Sequence, residues 1–104
     1  MKTLTVTQLR DLLADGAITL IDVRGDDELA LASIDGALHL PMHELPNRLA
    51  ELDRAGAIAV LCHHGVRSEM AARFLEKHGF GDVASVAGGI EAWSSEIDAG
   101  VPRY

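Results

Sequence analysis

The chain has 104 residues, 48% of them hydrophobic and 24% charged, with a formal charge of −7. That length and composition fit one soluble globular domain over residues 1–104, able to bury about two-thirds of its unfolded surface without staples. The acidic balance argues against nucleic acid and anionic lipid as partners, since both select a basic face, although a local cluster of donors can still hold a small anion.

The N-terminal residues Met1-Lys2-Thr3-Leu4-Thr5 lead into polar Gln8 and Arg10, with no apolar run long enough for a signal peptide or a membrane span. A cytoplasmic setting is therefore expected. Thr5 and Gln8 have the spacing of a capping box, which predicts a helix from there to about Asp15, stopped at Gly16. Ile18 to Val23 is apolar and rich in β-branched residues, and reads as a buried strand. A short helix is expected around Asp26 to Ala32, then a brief strand from Ala37 to Leu40 that ends at Pro41.

Pro46 to Arg54 reads as helical, with Leu49 and Leu52 on one face, and Ile58 to Leu61 as a second buried strand. Ser68 to His78 is a predicted helix, with Met70, Ala71, Phe74 and Leu75 on its apolar face and Gly79 as its cap. Val83 to Val86 forms a short strand, Gly88-Gly89 a turn, and Ile90 to Ile97 a last amphipathic helix carrying Trp93 as a core residue. Apolar strands alternating with helices imply an α/β domain with a mainly parallel sheet covered on both faces. Ligands of such folds bind outside the carboxyl ends of the strands, which points to the residues after Val23 and after Leu61.

The second of these places holds Cys62, the only cysteine, so no internal disulfide can form and a reducing compartment is favoured. Alone, a cysteine after an apolar strand reads as a small core hydrophobe. The next six residues, His63-His64-Gly65-Val66-Arg67-Ser68, are mostly polar or cationic and lead into a helix. A loop curled over a helix N-terminus aims backbone N–H groups at one point, adds the positive end of the helix dipole, and favours a thiolate at its start. Gly65 permits the curl. His63 and His64 can be read either as solvated loop residues or as pocket lining. Arg67 can serve as part of the cradle, as an ion-pair partner of a strand-end carboxylate such as Asp22, or as both. Asp22 and Arg24 are read as supporting residues, with Asp22 ordering Arg67 or capping backbone amides.

Cys62-x-x-Gly65-x-Arg67-Ser68, with Ala71-Ala72-x-x-Leu75 and Gly79-Phe80 after it, resembles the active-site loop and following helix of rhodanese-domain proteins. Asp22-Val23-Arg24 with Glu28, Gly36-Ala37 with Leu40-Pro41, and Gly88-Gly89-Ile90-x-x-Trp93 are similar to three further segments of that family, in the same order. The four stretches span about residues 5–95. Ser33 and Asp35 depart from the family's usual H-I-P-G turn, and Leu29 replaces a common aromatic; neither touches the nucleophile.

The resemblance implies a rhodanese-like fold with a five-stranded sheet, and a double-displacement sulfur transfer with Cys62 as nucleophile. It implies that the amides from His63 to Ser68 hold a persulfide, that Arg67 meets the donor anion, and that neither cofactor nor metal is needed. The partners expected are a small anionic sulfur donor such as thiosulfate, and an acceptor that is cyanide, a thiol, or a sulfur-accepting protein. Cysteine phosphatases and arsenate reductases use a related loop, but theirs holds one residue more between Cys and Arg, giving the wider cradle a tetrahedral oxyanion needs. A regulatory module of this family typically lacks the cysteine.

Overall fold

Two apolar strands, Thr19–Asp22 (β2) and Ile58–Leu61 (β4), lie side by side in parallel at the centre of the computed structural model, which describes all residues from Met1 to Tyr104. Lys2–Leu4 (β1), Leu38–His39 (β3) and Val83–Val86 (β5) complete a five-stranded, all-parallel sheet of order β1-β5-β4-β2-β3. Each residue of β4 and β5 is buried, as a strand covered on both faces must be.

The helices fall on opposite faces, and each face has its own core. Val66–Lys77 (α3) sets Ala71, Ala72 and Leu75 against Ile21, Val60 and Val83. On the other face Val6–Ala14 (α1) and Gly89–Glu96 (α4) bring Val6, Leu9, Ile90 and Trp93 onto Leu20, Ala59, Leu61 and Val86. Asp26–Leu31 (α2) follows β2. Alternate residues of β2 and β4 serve alternate faces, which is why both strands read as unbroken apolar runs. No helix is long and apolar enough to cross a membrane.

The capping box at α1 forms as its residues dictate: Gln8 N donates to Thr5 Oγ1 and Thr5 N to Gln8 Oε1, at 3.1 and 2.9 Å. Three expectations need correcting. β1 is a strand that the sequence reading left out. It is three residues long, exposed along most of its length and paired only with β5, so it carries no alternating pattern to read. Pro46 to Arg54 is not an α-helix but two 3₁₀ turns, Leu45–Asn47 and Leu49–Glu51, parted by Arg48. The tight turns carry Leu45, Leu49 and Leu52 to the core, while Arg48 bonds Glu44, Glu51 and the His39 carbonyl. Met70 is 54% exposed; the buried stripe of α3 is Ser68, Ala71, Ala72 and Leu75, and the helix starts two residues earlier than expected, at Val66.

Candidate active site

Cys62 follows β4 directly, at the carboxyl edge of the sheet, and is 1% exposed. Its Sγ accepts a hydrogen bond from the Gly65 amide at 3.0 Å and lies 3.4 Å from Ser68 Oγ. Gly65 is the N-cap of α3 at φ +112°, a conformation that glycine alone adopts cheaply. No side chain caps α3, so the free amides of its first turn stand behind the loop together with the helix dipole. Ser68, in that first turn, donates to the Gly65 carbonyl at 2.9 Å and shares a 2.6 Å bond with Ser85 Oγ on β5. Ser85 escaped the sequence reading. Its only signal is a hydroxyl inside an otherwise apolar strand.

The loop is also held from behind. At the start of α4, the Ile90 and Glu91 amides donate to the carbonyls of Cys62 and His63 at 2.9 and 3.1 Å. That approach needs Gly89: a Cβ there would stand 2.4 Å from both carbonyl oxygens, at a φ of +57°. The Gly88-Gly89 turn is thus the seat on which the cysteine loop rests.

Two ion pairs flank the loop, and they are not the pair that spacing suggested. Asp22 does not reach Arg67. It binds Arg24 instead, through Nη2 at 2.7 Å and Nε at 2.9 Å, and it accepts from the Arg24 amide at 3.1 Å. Both residues are buried, and Arg24 also donates to the Ala32 carbonyl at 2.8 Å. β2 ends at Asp22, so two residues later the Arg24 chain folds back on the carboxylate beside it. Arg67 pairs with Glu28 at the start of α2 through two bonds of 2.5 and 2.8 Å. Those bonds hold the Glu28 carboxyl down at about 2, against burial that pushes it up, and they raise the Arg67 guanidinium further above its ordinary value.

Of the other predicted residues, His63 is half-buried, while His64 and Val66 are exposed, and the one loop amide that bonds Sγ is that of Gly65. The His63 ring is stacked between two others: His64 at 3.9 Å and Tyr104 at 3.8 Å between centroids. Burial, and then the neighbouring His64, lower the His63 pKa. Its Nε2 is buried with no hydrogen-bond partner. Tyr104 is the second residue that the sequence reading missed. Its hydroxyl donates to Glu28 Oε2 at 2.7 Å and accepts from Arg24 Nη1 at 2.9 Å.

Comparison with known proteins gives a consistent picture. The Rhodanese-like domain family model matches residues 5–96. The Thiosulfate sulfurtransferase GlpE of Shewanella oneidensis is 34% identical over 92 residues, 88% of this chain and 91% of that one. The Putative sulfur carrier protein YrkF of Bacillus subtilis is 38% identical over 85 residues, 82% of this chain but only 46% of that protein, so the chain spans less than half of this relative. A crystal structure of a rhodanese-like domain protein from Staphylococcus aureus superposes with a TM-score of 0.86 at 31% identity, covering 100% of this chain and 99% of that one.

Proposed function

The chain belongs to the rhodanese-like domain family, and from that premise we propose that it is a sulfurtransferase that moves a sulfane sulfur from a donor such as thiosulfate to cyanide or a thiol through a persulfide on Cys62. The observation that carries this reading is the Gly65 amide 3.0 Å from Cys62 Sγ, in a loop set over an uncapped helix start. Such a loop stabilises negative charge on sulfur without a general base.

In the first half-reaction the Cys62 thiolate attacks the outer sulfur of thiosulfate. A bond forms between Sγ and that sulfur, the bond to the sulfite sulfur breaks, and its electron pair leaves with sulfite. The product is a Cys62 persulfide anion, and total charge is conserved. In the second, cyanide or a thiolate attacks the terminal sulfur and the electron pair of the breaking S–S bond returns to Sγ. The amides from His63 to Ser68 serve both anions, and the Ser68 hydroxyl can turn its proton toward Sγ while Ser85 donates to Ser68. Arg67 stands at the rim as a cation oriented by Glu28, and the pair is neutral overall, so loop amides carry the larger part of donor recognition. Asp22 and Arg24 support the end of β2.

A second reading, a carrier that passes persulfide to a partner protein, is favoured by one feature. Val66 and Met70, one turn apart on α3 at the edge of the loop, are 71% and 54% exposed. Thiosulfate-to-cyanide turnover by wild type beside Cys62→Ser, with a phosphatase substrate as control, tests the proposal. Turnover lost in the variant and no phosphatase activity support it. Equal turnover in both, or phosphatase activity alone, contradicts it.

A further inference from the structure

We infer that Tyr104 is a gate over Cys62 which selects reaction partners by size, admitting small ones while closed and bulky ones only when it swings away; its meaning for donors and acceptors rests on the sulfurtransferase reading. The loop that curls around Sγ begins at His63 and ends at Arg67. Tyr104 is fastened at both ends of that curl. Its ring lies on the His63 ring at 3.8 Å and 10° between planes, and its hydroxyl binds the Glu28 carboxylate that holds Arg67. One aromatic side chain thus joins the two ends of the curl that encloses Sγ, and Cys62 as a residue is 1% exposed.

Three observations make this span a movable one rather than a fixed strut. Arg24 keeps Asp22 and the Ala32 carbonyl without Tyr104, and Glu28 keeps Arg67 and the Gly25 amide, so both ion pairs survive its departure. Tyr104 is itself 37% exposed, so part of it already faces solvent. His63 Nε2 has no partner in the closed stack, and an opened stack gives it water. Closing therefore gains two hydrogen bonds and a stacked ring but strands one buried polar atom, which offsets part of that gain.

Cys62 is the only cysteine, so alkylation of the whole chain reports access to this sulfur alone. Second-order rates are measured with iodoacetamide as the small reagent and fluorescein maleimide as the bulky one. Tyr104→Ala is expected to raise the bulky-to-small rate ratio by about fivefold or more, with the iodoacetamide rate within about twofold of wild type. Tyr104→Phe keeps the ring and loses both hydrogen bonds, and its ratio should rise by a smaller factor. A ratio that is unchanged or lower in both variants overturns the gate, as does a parallel fall of both rates, which would make Tyr104 a positioning residue. If Tyr104→Ala fails to give a native melting transition, the Tyr104→Phe ratio decides alone. Sulfur loading from thiosulfate, read by intact mass on the same samples, separates the two ideas. A raised ratio with no sulfur loaded on wild type keeps the gate and ends the sulfurtransferase reading; loaded sulfur with an unmoved ratio does the reverse.

Discussion

The Arg67 guanidinium grips the Glu28 carboxylate through two hydrogen bonds across 39 positions of sequence, joining the helix behind the cysteine loop to the helix after β2. Glu28 is thereby held at about 2, below its ordinary 4.5, chiefly by the bonds from Arg67. A depressed carboxyl contributes stability that is full above the unfolded value and is lost as pH falls from 4.5 toward 2. Because the Arg67 side chain is 35% exposed, solvent screening limits the pair to about 1 kcal/mol. Glu28→Gln should lose that amount at pH 7 and match wild type more closely near pH 2. Chemical denaturation at both values checks it, and an equal deficit at both pH values would contradict the linkage.

Ser68 and Ser85 form a buried hydroxyl pair beside the sulfur. Ser85→Ala leaves Ser68 without one donor, and Ser68→Ala strands Ser85 in an apolar strand, so each should cost about 1–3 kcal/mol. The double variant should cost less than the sum, because one shared bond is counted in both singles. Equilibrium unfolding of the four proteins gives this cycle. Strict additivity would show that the pair contributes nothing.

Gly89→Ala is expected to damage the loop from behind. The new methyl meets the Cys62 and His63 carbonyls at 2.4 Å, at a backbone angle that alanine resists. The variant should lose about 2 kcal/mol or more of stability, together with most of its sulfur loading. Gly81→Ala, where a Cβ meets nothing, should change stability little and is the control. A Gly89→Ala protein with a wild-type melting temperature and full loading would refute the role of this turn as the seat of the loop.

Arg24 is wholly buried and serves Asp22, Ala32 and Tyr104 at once. Arg24→Met leaves Asp22 as an unpaired buried carboxylate and should cost about 3–5 kcal/mol. Arg24→Lys should rescue little, since an ammonium cannot reproduce the forked contact. Thermal unfolding distinguishes these outcomes; full rescue by lysine would mean that charge alone matters.

The features legible in the sequence were local ones. Thr5 and Gln8 fix the start of α1, Ile18 to Val23 and Ile58 to Leu61 are apolar enough to be buried strands, and Cys62-x-x-Gly65-x-Arg67-Ser68 marks the loop and the helix behind it. Each signal lies within a few residues, and short-range geometry reads it reliably. The partner of Arg67 was not legible, because Asp22 and Glu28 are both carboxylates near the end of β2 and only the fold decides which one turns toward α3. Ser85 and Tyr104 gave no local signal. One is a hydroxyl whose use depends on how β5 stands beside α3, and the other is a distant aromatic that returns to the loop through tertiary contact. β1 was missed because three exposed residues at a sheet edge have no period.

Cys62 is proposed to carry transferable sulfur, and intact mass after incubation with thiosulfate reads that sulfur on the protein itself. Wild type should gain the mass of one sulfur atom and lose it again on adding cyanide, while Cys62→Ser should gain nothing. A wild-type protein that stays unmodified, or an increment that persists in Cys62→Ser, would contradict that claim.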